Sequence, residues 1–400
     1  MTEPKANYLG AYLSWVMDSY DLGAVVITSA VLKQLFFPTL GILGAALPIV
    51  FTVVSRPLGA FLFGYLADLK GRKVALLITV LGYSLSVGLT GLLPTYEEVG
   101  LAASVALVAL RVIQGIFIGG DVSTSFVLAM ESVRSRRGLL SGVMQGGTLV
   151  GFVLVDALFT YLAKTTNIVD TWRYVFFIGA LPAALALLIR LRVVEPEVYL
   201  KEGRTAPVLS GLRPLWQTLL VMIGFWLMIY SGPQFMAVYL GTYLGLKPEF
   251  YGGLILAMNA IGILAMALSG FLSDYIGRKW MAIAGTVVSL MGAWLLYGSV
   301  LEINYSVPLF GFLVNLPSAV TPAYLSERFK TFSRATGVGF SYNGAFLVAG
   351  FSQVYISLLS NYLILPYSAL TVFGMGALLA VIGLILGPET LKASELRVRG

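Results

Sequence analysis

The sequence predicts an all-α membrane protein with twelve transmembrane helices in two pseudo-symmetric six-helix bundles. Three observations lead to this fold class. The 400 residues are 58% hydrophobic and 11% charged, whereas a soluble domain is about a quarter charged. Apolar runs of about 20 residues, long enough to cross a bilayer as helices, recur along the chain. The loop "GYLADLKGRK" at 64–73 returns as "GFLSDYIGRK" at 270–279, which indicates two related halves.

Twelve apolar runs separated by short polar loops give the predicted helices. They lie at 8–31, 41–66, 74–93, 102–129, 138–162, 172–191, 215–240, 251–272, 279–299, 303–325, 335–360 and 363–387. The one long polar linker, "RVVEPEVYLKEGRTAPVLSGLRP" at 192–214, falls at the midpoint. We therefore predict an N-terminal six-helix bundle at 1–191, a cytoplasmic linker at 192–214 and a C-terminal six-helix bundle at 215–400.

The distribution of basic residues predicts the orientation of these helices. Of the 26 Lys and Arg residues, 20 lie in the termini, the linker and alternate loops. The opposite loops hold only Lys33, Lys164, Arg173 and Lys247. Because cytoplasmic loops carry the excess of basic residues, both termini are predicted to be cytoplasmic in a multi-pass plasma-membrane protein. No cleavable signal is expected, since the first apolar segment carries carboxylates.

The composition also excludes whole classes of function. The chain has no Cys and no His, which removes the usual catalytic triads and zinc sites. It contains no G-x-x-x-x-G-K-[ST] phosphate-binding loop. We therefore expect no enzyme activity, no catalytic or metal-binding residues and no cofactor. The net charge of +7 is scattered among short loops, so no nucleic-acid partner is expected.

Several motifs give the chain a resemblance to a known family. The duplicated loop, "RVIQG" at 111–115 and the length of the repeat resemble the major facilitator superfamily. "SRPLGAFLFGYLADLKGRK" and "YLSERFKTFSRATGVGFSYNGA" resemble its metabolite/proton symporters and the sialate/lactate symporters. The match departs at Asp121, where metabolite symporters usually have Glu. It also departs in "DSYDLGAVVITSA", which is closer to the "GYDxGxxxG" of sugar porters and the sialate/lactate group.

The resemblance implies the major facilitator fold and secondary active transport by alternating access. Two parallel repeats with a site between them are a transporter architecture. The expected function is proton-coupled symport of a small organic acid (a mono- or dicarboxylate) or related metabolite. The alternatives are a sugar/proton symporter and a non-transporting membrane receptor. The expected partners are the lipid bilayer, protons and one small-molecule substrate, and the protein is expected to be monomeric.

The repeated loop carries the predicted gate. By the family pattern, Asp68 is expected to approach the start of the eleventh helix, where the helix dipole favours an anion. Arg72 is expected to pair with Asp68 or with Glu131. Asp274 and Arg278 are the matching residues of the second loop. A simpler reading, in which the basic residues only anchor the loop to lipid headgroups, leaves the matched Asp unexplained.

Charged residues within the predicted spans carry the expected proton coupling. At 1.5 Å per residue, Asp18, Asp21 and Arg111 reach similar depths near the midplane. Carboxylates there are costly to insert and mark functional sites. We expect Arg111 to lie between the two Asp residues, so that one carboxylate stays ionised while the other carries the proton. Asp21 matches the family's helix 1 acid best. A static ion pair with a second, solvated Asp is the alternative.

Other polar residues at depth are candidates for substrate binding. Arg56 presents a fork that fits a carboxylate, or it pairs with Asp121. Gln145 and Asp156 share one face of the fifth helix. Gln145 matches a position where related porters place Gln, and Asn343 is its counterpart in the eleventh helix. The remaining candidates are Tyr342, Tyr230 and Gln234. Each of these polar side chains could instead satisfy an interhelical hydrogen bond.

Overall fold

A computed structural model describes residues 3–190, 193–236, 238–246 and 248–391. These residues contain helices, turns and loops and no β-strand. The principal helix of each predicted span is labelled in chain order. They are α1 (Glu3–Ile27), α2 (Gly41–Lys70), α3 (Arg72–Leu92), α4 (Leu101–Ser132), α5 (Arg137–Thr165), α6 (Ile168–Arg190), α7 (Leu215–Ser231), α8 (Pro248–Ile276), α9 (Arg278–Tyr297), α10 (Ile303–Val314), α11 (Arg334–Gly344) and α12 (Leu365–Leu386).

Shorter segments complete several of these spans. They are Ser29–Phe36 after α1, Pro233–Phe235 and Val238–Tyr243 after α7, Pro317–Val320 and Thr321–Arg328 after α10, and Phe346–Ala349 and Ser352–Leu359 after α11. The linker contains a helix at Glu197–Glu202. Nine helices of the described chain are long and apolar enough to cross a membrane. The first, sixth and eleventh spans are not among them, and the eleventh is divided into three short segments.

Two of the interruptions have an identifiable cause in the sequence. Helix α7 ends at Ser231, where Gly232 and Pro233 follow. Proline lacks the backbone N–H that would continue the hydrogen-bond ladder, and its ring clashes with the preceding turn. Pro317 likewise follows α10 at the start of a 3-10 turn. The predicted continuous helices at 215–240 and 303–325 are therefore broken in the structure.

The repeated loop forms the same one-residue turn in both halves. Gly71 joins α2 to α3 with a φ of 117°, and Gly277 joins α8 to α9 with a φ of 108°. Side chains other than hydrogen are disfavoured in this region of backbone space. The glycine of each G-R-K sequence therefore permits a sharp reversal. It also places Arg72 and Arg278 at the first position of the following helix.

Backbone contacts divide the chain into two compact units. Unit 1 consists of Met1–Ser132, Gly147–Ser210 and Thr331–Asn343, and unit 2 of Val133–Gly146, Gly211–Lys330 and Gly344–Gly400. The start of α5 thus belongs to unit 2, and most of α11 belongs to unit 1. The division at 191 and 215 remains a prediction of the sequence.

Close helix packing positions the charged residues of unit 1. A methyl group on Gly119 of α4 would lie 2.8 Å from the backbone carbonyl carbon of Arg56 on α2. Small residues at such positions let helix backbones approach, as they do in lipid. Large apolar side chains such as Leu62, Leu85 and Leu101 are at least half exposed. This is the expected arrangement for a helix that buries one face and turns the other to hydrocarbon.

Candidate functional site: buried ion pairs and loop networks

Asp21 lies in a buried polar cluster between α1 and α4. Its Oδ1 atom is 3.9 Å from Nη1 of Arg111, and Gln114 donates a hydrogen bond to Oδ2. Arg111 donates to the Thr90 hydroxyl, and its guanidinium lies 5.5 Å from the ring centre of Phe176. Arg111 and Gln114 are three residues apart, so both face α1 from one side of α4. The R-x-x-Q-G motif therefore supplies both contacts to Asp21.

The Asp21–Arg111 pair is loosely joined for two charges in a buried site. Among the residues that the structure describes, Oδ1 of Asp21 and the Nε and Nη1 atoms of Arg111 have no hydrogen-bond partner. Asp21 is 1% exposed and Arg111 is fully buried. Buried charges normally require both pairing and hydrogen bonds. The cluster therefore keeps donor and acceptor capacity that its neighbours in the described chain do not use.

Asp18 forms a separate ion pair. Its Oδ1 atom lies 3.8 Å from Nη2 of Arg56, and both side chains are at most 4% exposed. The sequence analysis expected Arg111 to lie between Asp18 and Asp21, whereas the ion pairs in the structure join Asp18 to Arg56 and Asp21 to Arg111. The reason is the rise of the helix, since three residues separate the carboxylates by about 4.5 Å along α1. Asp18 thus meets α2 while Asp21 meets α4.

Asp121 of α4 contacts α1 through Ser14. The Ser14 hydroxyl lies 2.6 Å and 2.7 Å from its two carboxylate oxygens. The Tyr83 hydroxyl is 3.4 Å from the Ser14 hydroxyl. Asp156, the fourth Asp of the predicted spans, is half-buried on α5. The predicted roles of Asp121 and Asp156 in substrate binding remain predictions.

The polar and aromatic candidates of α11 lie within unit 1. Asn343 is buried, and its amide nitrogen donates to the Gly339 carbonyl at 3.1 Å and to the Gly119 carbonyl of α4 at 3.3 Å. The ring of Tyr342 meets Trp15 of α1 edge to face, with centroids 5.7 Å apart. Residues of α1, α4 and α11 therefore share one buried cluster.

The remaining candidates lie in unit 2. Gln145 is buried near the start of α5, and Gln234 is half-buried in the turn after α7. Tyr230 is half-buried and belongs to an aromatic cluster with Trp226 and Phe346. Its ring centre is 6.2 Å from Trp226 and 5.8 Å from Phe346. The substrate-site candidates of unit 2 are thus aromatic or neutral polar residues, whereas those of unit 1 include charged residues.

The first loop network is built around Asp68 at the end of α2. Its carboxylate accepts hydrogen bonds from the backbone N–H groups of Ala335 and Thr336 at 3.1 Å and 2.9 Å, and from the Thr336 hydroxyl at 2.7 Å. These donors belong to the first turn of α11, which has unsatisfied N–H groups and a positive dipole end. Asp68 therefore lies where the sequence analysis expected it.

Arg72 connects Asp68 to a second acid. It contacts Asp68 at 2.8 Å and holds Glu131 with two bonds of 3.0 Å and 3.1 Å. Arg334 also donates to Glu131, at 2.7 Å. The Arg72 guanidinium also lies 4.3 Å from the ring centre of Tyr199 in the linker helix. The two parallel bonds between Arg72 and the Glu131 carboxylate are a strong type of charged hydrogen bond.

The second loop network repeats this arrangement within unit 2. Asp274 accepts from the backbone N–H groups of Gly138 and Leu139 at the start of α5, at 2.8 Å and 3.1 Å. Arg278 donates to Asp274 at 3.0 Å, and its Nε lies 3.7 Å from Glu327. Glu327 also pairs with Arg137 at 3.0 Å and accepts from Thr390.

Two acids that the sequence analysis missed complete the networks. The Glu195 carboxylate accepts hydrogen bonds from the backbone N–H groups of Arg72 and Lys73 at the start of α3, at 3.0 Å and 2.9 Å. Glu389 does the same for Arg278 and Lys279 at the start of α9, at 2.8 Å and 3.0 Å. The available signal was an acidic residue beside a proline after the last helix of each half, in "EPEV" and "GPET".

Comparison with known proteins identifies relatives of the whole chain. The family model for the Major Facilitator Superfamily matches residues 8–351. The proline/betaine transporter of Escherichia coli K12 is 26% identical and covers 98% of this chain and 84% of its own length. The alpha-ketoglutarate permease of the same strain is 28% identical, with coverages of 88% and 86%. These proteins are transporters that this chain resembles along most of its length.

A solved structure shares the fold. The proton:xylose symporter XylE, bound to 6-bromo-6-deoxy-D-glucose, has a TM-score of 0.80 with 99% of each chain covered. Its sequence identity is 19%, so the likeness concerns the fold alone. It establishes the twelve-helix arrangement that the apolar runs predict.

Proposed function

Because this chain belongs to the Major Facilitator Superfamily, and is therefore a multi-pass membrane transporter and not an enzyme, we propose that it is a proton-coupled symporter. Its proposed substrate is a small organic acid or related metabolite. Both termini are proposed to be cytoplasmic and the working unit to be a monomer. The observation that carries the proposal is the loose, buried Asp21–Arg111 pair with Gln114 on the second carboxylate oxygen.

The proposed coupling follows from the cost of an isolated charge in a membrane. An ionised Asp21 attracts Arg111 strongly, because few dipoles screen the pair at this depth. When Asp21 takes up a proton, that attraction is lost and Arg111 can form an ion pair with another anion. Proton binding at Asp21 would thus release α1 from α4. The unused donor positions of Arg111 support this exchange.

The substrate class is supported by Arg56 and by the relatives. Arg56 is a buried arginine whose Nη2 atom lies 3.8 Å from Oδ1 of Asp18. A substrate carboxylate could engage the guanidinium fork with two shorter bonds. The relatives are named for proline and betaine and for alpha-ketoglutarate, which all carry a carboxylate. Sugar transport remains the alternative, favoured by the "SYDLG" sequence of α1.

The two loop networks are the proposed cytoplasmic gate. Asp68 and Asp274 each bind the N-terminus of a helix from the other half of the sequence. Their charged bonds with Arg72 and Arg278 would form in one transport state and break in the other. Opening the gate would break several buried charged hydrogen bonds. A half-open gate would leave buried charges unpaired, which is costly, so the open and closed states would be distinct.

Proton coupling can be tested with Asp21→Asn in vesicles that contain the purified protein. The amide keeps the hydrogen-bonding shape but cannot ionise, so we expect loss of accumulation driven by a proton gradient while counterflow exchange continues. Asp170→Asn is the control, because Asp170 is an exposed Asp at the start of α6. The substrates tested are glycine betaine, proline, alpha-ketoglutarate and D-xylose. Accumulation by Asp21→Asn would contradict the coupling, and uptake of D-xylose alone would contradict the substrate class.

A further inference from the structure

Trp15 of α1 is a buried side chain with an unused polar group. It is 2% exposed, and its indole Nε1 has no hydrogen-bond acceptor among the residues that the structure describes. A buried Trp usually finds a partner for this N–H, and each exception requires an explanation. Trp15 lies one turn before Asp18 and two turns before Asp21, on the helix that carries the proposed proton site.

Aromatic rings fix the position of the Trp15 indole. Phe126 of α4 meets it edge to face with centroids 4.8 Å apart, and Tyr342 of α11 does so at 5.7 Å. Edge-to-face contacts of this kind favour one orientation of the rings. The indole is therefore held in place by neighbouring helices, although its N–H bonds to none of the described residues.

The Cδ1 atom of the Trp15 indole, next to Nε1 in the ring, packs against α5. A methyl group built on Gly147 would lie 3.1 Å from Cδ1 of Trp15 and 3.1 Å from Cε2 of Tyr12. Cδ1 is bonded to Nε1, so a displacement of this edge of the ring would also move the N–H group. The hydroxyl of the next residue, Thr148, has no hydrogen-bond partner in the described chain. The amide oxygen of buried Asn343 also has none there. These two polar atoms belong to residues that directly follow Gly147 and Tyr342 in the sequence.

We propose that the indole N–H of Trp15 is a substrate-binding group that donates a hydrogen bond to a carboxylate or hydroxyl oxygen of the transported molecule. A site with aromatic walls and a few isolated polar groups is typical of small-molecule binding. The assignment of a carboxylate oxygen rests on the proposed function, whereas the donor role of Trp15 does not.

Trp172 provides a matched comparison for this proposal. It is also 2% exposed and meets Phe36 and Phe176 edge to face, with centroids 5.7 Å and 5.8 Å apart. However, it belongs to a hydrophobic core cluster. Replacing either Trp by Phe removes an N–H and part of a ring. Only Trp15→Phe removes a donor that we assign to the substrate.

The test measures ligand binding to purified protein in nanodiscs by thermal shift, with glycine betaine and D-xylose as separate probes. For the probe that stabilises the wild-type protein, we expect Trp15→Phe to weaken binding about fivefold to tenfold, as for one lost hydrogen bond. Trp172→Phe should bind with unchanged affinity. If Trp15→Phe binds as tightly as Trp172→Phe, the proposal is wrong.

A second pair of variants keeps the indole itself. Gly147→Ala places a methyl against Trp15 and Tyr12, so we expect weaker binding by displacement of the N–H edge. Gly252→Ala is the control, since a methyl there would meet nothing within 4 Å. If the wild-type protein binds only D-xylose, the carboxylate class fails while both tests of Trp15 continue with that sugar. Equal affinities of the two alanine variants would also oppose the proposal.

Discussion

The two loop networks share a sequence motif but differ in their contacts. Asp68 and Asp274 both bind the first turn of a helix. Asp68 accepts hydrogen bonds from two backbone N–H groups and a hydroxyl of that turn, and Asp274 accepts from two backbone N–H groups. Arg72 donates two hydrogen bonds of 3.0 Å and 3.1 Å to Glu131, whereas the Nε atom of Arg278 lies 3.7 Å from Glu327. We therefore expect the first network to be the more stable one.

The difference arises outside the repeated decapeptide. Thr336 of α11 corresponds in position to Leu139 of α5, since each supplies the second backbone N–H to an Asp. Only Thr336 adds a hydroxyl. Tyr199 contributes a ring face to Arg72 and a hydroxyl to the Asp68 carbonyl at 3.3 Å. The motif therefore determines the shape of the turn, while residues outside the motif determine how many further contacts Asp68 and Arg72 make.

The largest expected effect is a difference in melting temperature between variants of Arg72 and Arg278. Arg72→Gln leaves Asp68 and Glu131 buried without their main partner, and loss of one member of a buried pair costs about 3–5 kcal/mol. We expect a large fall in the melting temperature in detergent. Arg278→Gln is the comparison and should lower it less, because its contact with Glu327 is longer. Equal losses would show that the distances do not reflect a difference in stability.

A smaller effect is expected from the Thr336 hydroxyl. Thr336→Val keeps the shape but removes a 2.7 Å bond to the Asp68 carboxylate, and a hydrogen bond to a charged group contributes about 1.5–3 kcal/mol. We expect a lower melting temperature. Leu139→Val, at the matching position of the second network, removes no hydrogen bond and is the control. An equal change in both variants would assign the effect to packing.

The smallest effect concerns Tyr199. Tyr199→Leu removes the ring face over Arg72, a contact that contributes about 0.5–2 kcal/mol, together with the hydroxyl. Tyr199→Phe removes the hydroxyl alone. We expect the melting temperature to fall in the order wild type, Phe, Leu. If the Phe and Leu variants are equally stable, the ring contributes nothing and the hydroxyl carries the whole interaction.

Much of the fold could be predicted because a bilayer imposes one length scale on every helix. The apolar runs located the spans, and the repeat located the turns at Gly71 and Gly277. The division of the eleventh span was missed because no proline or charged residue interrupts its sequence. Its segments end at Gly344 and Gly350, where glycine weakens a helix by about 1 kcal/mol relative to Ala.

The sequence indicated which charged residues lie within the spans but not which of them form pairs. Charge in an apolar run marks Asp18, Asp21 and Arg111 without any structure. Which arginine meets which Asp depends on the rotation and spacing of whole helices, and the sequence pattern does not specify these. Glu195 lay outside the spans, where an acid in a polar linker is ordinary. Trp15 looked like any apolar residue, because only the packing around it reveals its unused N–H.

The reciprocal capping by Asp68 and Asp274 has the form of an isologous contact. Each repeat supplies the acid that the other repeat's helix needs, as two identical subunits do about a two-fold axis. In a symmetric dimer, one substitution would change both contacts together. In a single chain the two repeats can change independently, so one network can gain a contact that the other lacks. The Thr336 hydroxyl that donates to Asp68 is such a contact.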